Sequence, residues 1–397
     1  MATPRADIDP SLLRWARKSI GYSIEDAAAK IRLRGGVEQL EAWEAGEGGP
    51  TVAQLRKVAQ VYRRPLAVFF LPEPPRDFQA MRDFRRVPGA EAGRWSPNLH
   101  SAVIRAGEQR EALRELVDVL GDDLSPVPSV EVSEDADAVA ARIRKLIGVP
   151  LSAQVGWGRP DVALRTWIAA IEATGVLVLQ AQGIDVDEMR GFTLSDDSAA
   201  VIVLNGGDSR RGRIFTLLHE FVHVVLRSSG VCDLFPIKNP RSETDKTEVF
   251  CNRVAASVLL PKDEFLADRL VANREGENWD DLLLKQLGDR YSVSREVILR
   301  RLLTLGKTTF RFYQEKRQEF IEEYKALKEK KRAARKKPRI PYYRLKVRDL
   351  GRPYVELALD AYRGRVISTS EAADYLDVPV KGIERIEQEV GMASGAE

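Results

Sequence analysis

The chain has 397 residues, 44% of them hydrophobic, with 62 Lys and Arg against 59 Asp and Glu. It is too long for one ordinary core and too apolar for a disordered protein, so roughly two to four globular domains are expected, and the near balance of charge excludes a whole-molecule field for nucleic acid. Cys232 and Cys251 are too few for a disulfide framework, no apolar run approaches a membrane span, and Met1-Ala-Thr-Pro-Arg5 lacks the pattern of a secretory signal, so a cytoplasmic protein with reduced thiols and no membrane partner is expected.

The first segment reads as five short helices: Pro10 to Ser19, Ser23 to Ile31, Val37 to Ala45, Thr51 to Tyr62, and a turn at Pro65 to Phe70. Ser23 and Thr51 are natural N-caps, while Gly21, Gly35-Gly36 and Gly46 to Pro50 supply the breaks. That spacing is the pattern of a helix-turn-helix domain over residues 1–75. Leu13-Arg14-x-Ala16-Arg17, Gly21-Tyr22-Ser23, Ala27-Ala28, Trp43-Glu44-x-Gly46, Pro50-Thr51 and Gln54-Leu55 together resemble the XRE-type (Cro/repressor-like) helix-turn-helix. The resemblance implies that the third helix enters the major groove. Here that helix carries Glu38, Glu41 and Glu44 and no Lys or Arg, and carboxylates repel phosphates. Arg14, Arg17, Lys18, Arg32 and Arg34 remain for phosphate contacts, so two uses stand side by side: DNA binding, and docking a protein partner such as another helix-turn-helix protein.

Pro72-Glu-Pro-Pro75 and the Arg-rich stretch to Trp95 read as a linker. Ser101 to Leu120, with Val103, Ala106 and Leu113 on one side, and Ala136 to Ile147 read as helices that complete a bracing segment, 76–150. After a helix from Leu164 to Thr174, the runs Val176–Leu179, Met189–Leu194 and Ala200–Leu204 read as strands of a small sheet. Val201 to Asn205 is taken as the sheet edge that would hold an extended substrate.

His219-Glu220-Phe221-Val222-His223 follows, inside an apolar run. On a helix, residues four apart point the same way, so both imidazoles reach one Zn²⁺ while Glu220 sits beside the metal's open face. The third histidine, His100, has no partner at ligand spacing and is left out of the site. A zinc site that acts on substrates uses three protein ligands and keeps a fourth position open. Glu248, read as opening the helix that runs to Pro261, is the choice for the third, with Glu243 and Asp245 in the preceding loop as rivals. Glu220 is assigned as the general base on a zinc-bound water, a role that a structural zinc site would not need. For an extra oxyanion donor Arg190, Tyr291 and Tyr313 are all eligible and none stands out.

Met189-Arg-Gly-Phe-Thr-Leu194, Phe215-Thr-Leu-Leu-His-Glu-Phe-Val-His223 and Glu248-x-x-Cys251-Asn252-Arg-Val-Ala-Ala-Ser-Val-Leu-Leu-Pro261 resemble the ImmA/IrrE-type metallopeptidase family over roughly residues 155–305. The resemblance implies His219, His223 and Glu248 as zinc ligands, and as substrate a transcriptional repressor or antitoxin cleaved under stress or mobile-element induction. Cys251 stands where the family commonly has Ala. It is read as a small buried residue, ahead of a thiolate competing for metal. Asn252 is read either as orienting a ligand or as a cap.

A helical cap from Trp279 to Leu305, with Ser294 as N-cap, closes a zincin-like domain at 151–305. A charged helix and basic linker fill 306–340, with residues 328–339 as the local basic patch. A small helical domain at 341–397 contains a capped helix near Ser368, similar to the start of another helix-turn-helix and suited to packing or partner binding. The expected fold is therefore α+β, mainly helical and multidomain, and the expected function is a zinc endopeptidase. The alternative is a DNA-binding regulator, or the antitoxin of a toxin-antitoxin pair, that keeps the zincin fold as scaffold or sensor.

Overall fold

The computed structural model describes residues 5–75, 95–123, 127–195, 199–232, 242–274, 276–333 and 340–394. Residues 76–94 of the expected linker and the basic residues 334–339 lie outside these. Among the described residues, no helix is long and apolar enough to cross a membrane.

The N-terminal segment folds into α1 (Pro10–Ser19), α2 (Ile24–Ile31), α3 (Gly36–Ala45), α4 (Val52–Tyr62) and a 3₁₀ turn, Leu66–Phe70. Ser23 caps α2 and Thr51 forms a capping box with Gln54. Leu12, Leu40, Leu55, Val58 and Phe69 form a core separate from the rest of the molecule. The charges divide into two sets. Glu44 is buried and accepts from Arg17 Nε at 2.7 Å and Arg17 Nη2 at 2.8 Å, while Arg14 Nη2 donates to the Glu44 carbonyl. Arg17, expected among the phosphate contacts, is instead spent inside the domain. Glu38 and Glu41 stay exposed on α3, and Lys18, Arg32 and Arg34 stay exposed elsewhere.

The body begins with α5 (Pro97–Leu120), α6 (Ala136–Leu146), α7 (Leu151–Gly156) and α8 (Pro160–Glu172). Both α5 and α8 start four residues before the expected positions because proline opens each first turn, where its missing N–H costs nothing. A four-stranded sheet follows from β1 (Leu177–Ala181), β2 (Gly191–Leu194), β3 (Val201–Asn205) and β4 (Gly230–Cys232), in the order β1-β3-β2-β4. Between β3 and β4 runs α9 (Arg210–Val225), and α10 (Glu243–Leu259) comes after β4.

Strand alternation sends side chains to two covered faces. Val178, Ile202 and Leu204 join the core beneath α8 and α9, whereas Leu177, Leu179, Phe192, Val201 and Val203 join a second core on the far side. This two-sided burial explains the unbroken apolar run Val201-Ile-Val-Leu204. It also overturns the edge-strand expectation, since β3 pairs parallel with β1 and antiparallel with β2, and the edges are β1 and β4.

The second core is closed by α5 and by the C-terminal helices Tyr342–Leu350, Arg352–Arg363, Thr369–Tyr375 and Ile383–Ser394, through Leu350, Val355, Leu359 and Ile386. Gly351 makes the closest approach: with φ of 80°, a Cβ there would lie 2.8 Å from Leu177 Cδ1 and 3.0 Å from the Val178 carbonyl. Beside it, burial pushes the Glu172 carboxyl up to about 8, with Glu356 adding to the effect. Since this value lies above the ordinary 4.5, the folded protein binds the extra proton. The contribution is complete below pH 4.5 and is lost as pH rises through about 8. Urea unfolding across that interval is expected to show a decline of roughly 1–3 kcal/mol that Glu172→Gln removes.

Candidate metal centre

Helix α9 begins at Ser209, whose Oγ accepts from Gly212 N at 2.9 Å. Every residue from Ile214 to Val225 is buried, because the sheet, α8 and α10 surround it. His219 and His223, one turn apart on its α10 side, are both fully buried.

Helix α10 starts earlier than expected. Ser242 Oγ accepts from Asp245 N at 3.1 Å and Asp245 Oδ2 accepts from Ser242 N at 3.3 Å, a capping box that moves the first turn back to Glu243. The two rivals therefore have other work. Asp245 serves the cap and Glu243 pairs with Lys246 at 2.7 Å on the surface. Glu248, in the second turn, faces the imidazoles. The far end of α10 is held by buried donors: Arg144 to the Val258 carbonyl, Gln154 to Leu259 and Arg301 to Leu260. Gln154 lies on α7, a helix not read from the sequence.

Glu248 Oε1 lies 3.1 Å from His223 Nε2, Glu248 Oε2 lies 3.4 Å from His219 Nε2, and the two Nε2 atoms are 3.2 Å apart. Metal–ligand bonds of about 2.0–2.1 Å at tetrahedral angles would separate neighbouring donors by roughly 3.3 Å, and the nearest atom pairs here lie close to that spacing, with one donor from each residue within 4.8 Å of the other two. Burial acts to raise the Glu248 carboxyl, but the charges and hydrogen bonds of His219 and His223 hold it well below the usual carboxylate range, in the ionised form that binds metal. Among the described residues the donor group has three members, His219, His223 and Glu248. Cys251 is buried and outside it, and burial pushes its thiol up, which agrees with the reading as a small core residue. Asn252 Oδ1 makes no hydrogen bond.

Glu220 points to the sheet side of the centre. Its Oε2 accepts from Thr193 Oγ1 at 2.8 Å. Thr193 pairs across to Ile202 and so shares the face of β2 that meets α9. Gly191 occupies the same face, where a Cβ would lie 2.5 Å from Thr216 Cγ2 and 3.0 Å from Glu220 Oε1. Only glycine lets strand and helix approach this closely.

Beyond α9, Arg227 takes a left-handed conformation and turns the chain back, so that Ser228 N donates to the His223 carbonyl at 2.9 Å. The same turn sets Ser228 Oγ 2.8 Å from His223 Nδ1, a partner that would let Nδ1 carry the proton and free the Nε2 lone pair for a metal ion bound between His223 and Glu248. Ser228→Ala is expected to weaken zinc binding by about 10- to 100-fold while leaving the fold intact, measured by competition with a chromophoric chelator.

The eligible oxyanion donors are engaged elsewhere. Tyr291 OH donates to Asp268 at 2.7 Å, Tyr313 OH donates to Glu296 at 2.7 Å and Arg190 pairs with Asp208 at 3.0 Å.

Residues 171–303, which contain the sheet, α9 and α10, match the peptidase family described as the IrrE N-terminal-like domain, and residues 13–69 match a helix-turn-helix family. The central segment is thus similar to the IrrE N-terminal-like peptidase family. None of the curated proteins matches the chain. The IrrE-like segment thus has a metallopeptidase frame, and the helix-turn-helix segment before it is of a kind that binds DNA. Thr193 and Ser228 went unnoticed in the sequence because their roles depend on pairing and on a turn. The Gly191-Phe-Thr193 motif was the one available signal for the first.

Proposed function

We propose that this protein is a zinc-dependent endopeptidase in which His219, His223 and Glu248 hold the metal and Glu220 is the general base. The observation carrying this reading is a buried donor triangle of three members, which leaves one position of a tetrahedral ion for water or substrate, with a carboxylate beside it. When bound, zinc supplies a Lewis acid that acidifies water and polarises a carbonyl. Glu220, kept in place by the Thr193 hydroxyl, takes the proton of the attacking water on a carboxylate oxygen and delivers it to the departing amine. The surrounding apolar core excludes bulk water, so the charge on Glu220 acts at short range.

The substrate class follows from the domain joined to this centre. A helix-turn-helix domain with exposed Glu38 and Glu41 on its third helix favours a protein surface over a phosphate backbone, so the proposed substrate is a transcriptional repressor or an antitoxin, itself of helix-turn-helix type, in the cytoplasm. Incubating the zinc-loaded protein with such regulators tests this: one discrete cut, abolished by chelation and restored by zinc, is expected. A protein that binds those regulators or operator DNA tightly and never cuts would favour the regulator or antitoxin reading instead.

A further inference from the structure

A cavity of about 360 Å³ lies where the helix-turn-helix domain meets the body, and it belongs to neither the metal centre nor the α3 surface. Lys30, Gln60 and Arg63 line it from the first domain, Arg105 and Gln109 from α5, and Gln182 from the end of β1. We propose that this cavity binds a small phosphorylated solute, of the size of a nucleoside monophosphate, and that the bound solute bridges the two domains.

Charge is the first argument. Three cations line the cavity against one carboxylate, Asp349, and that carboxylate already pairs with Arg348 at 2.5 Å. Among the described residues no carboxylate lies within ion-pair distance of Lys30 or Arg63, and Arg105 reaches Asp377 only at 3.6 Å. The cavity is open to solvent, with Lys30 and Arg63 exposed at its rim, so a surplus of cations there attracts an anion from solution.

Unmet hydrogen bonding is the second, independent argument. Gln109 is 7% exposed, and its buried Nε2 has no partner. Arg105 Nη2, also buried, makes no hydrogen bond and has only the 3.6 Å ion pair to Asp377 Oδ2. These are donors on the same helix, one turn apart, and an anion's oxygens would satisfy both. Gln60 and Gln182 add amides that both donate and accept, as a sugar or base edge requires. The volume falls in the range of small-ligand sites.

Titration calorimetry of the full chain with adenosine monophosphate, inorganic phosphate and adenosine tests the proposal. The monophosphate is expected to bind one to one and adenosine to bind at least about tenfold more weakly, the loss of a charge-assisted hydrogen bond. Lys30→Ala and Gln109→Leu should each weaken the monophosphate by roughly tenfold, and Arg63→Asn likewise. Asn is chosen because it tolerates the left-handed φ of 52° at that position. Phosphate binding that is lost in the same variants supports the site. Wild-type protein that binds neither phosphate compound overturns the proposal. So does adenosine binding as tightly as its monophosphate, or an affinity unchanged in variants that keep the wild-type circular dichroism spectrum. None of these residues touches the metal centre, so failure here leaves the peptidase reading standing.

Discussion

Glu220→Gln is expected to retain zinc and lose cleavage, with kcat falling by a factor on the order of 10²–10⁴. The two side chains have the same shape, and the glutamine carbonyl can still accept from Thr193 Oγ1, so the contact at 2.8 Å and the packing of β2 on α9 survive. Basicity is what disappears. Glu220 lies outside the donor triangle, so metal content should stay at wild-type level. Thermal unfolding and metal analysis on the same preparation separate a chemical defect from a folding defect. Loss of metal in this variant would instead make Glu220 a ligand, and full activity would remove it from the chemistry.

Glu248→Gln is expected to do the reverse, lowering zinc affinity by more than about 100-fold, beyond the effect of an outer partner such as Ser228. The substitution removes a negative charge from a buried site and points an N–H group at one of two imidazole nitrogens, 3.1 and 3.4 Å away in the parent. Activity should follow metal occupancy and return in part as free zinc is raised. A chelator-competition titration reads the affinity, and cleavage measured over the same zinc series reads the link. If affinity stays unchanged, the third ligand lies elsewhere.

Much of this architecture was legible because its signals are local. The caps at Ser23 and Thr51 and the glycine breaks set α1 to α4 within a residue or two, and the i, i+4 spacing of His219 and His223 needs only the helix itself. What escaped depends on distant partners. Whether Val201–Asn205 is an edge or an interior strand is settled by the two strands that flank it. Arg17 looks like a surface cation until Glu44, from another helix, folds over it. The start of α10 is set by the capping box of Ser242 and Asp245, a local signal that the neighbouring acidic residues mask in the sequence. Nothing in the C-terminal sequence says that its helices cover the second face of the sheet. That follows from the apolar residues β1 and β3 present on both sides.

The most direct test of the central claim is anomalous diffraction at the zinc edge from crystals of the zinc-loaded protein. The account predicts one peak within about 2.0–2.2 Å of His219 Nε2, His223 Nε2 and a Glu248 oxygen, with Glu220 outside bonding distance. A peak elsewhere, or none at this triangle in a protein that still cleaves its substrate, would contradict it.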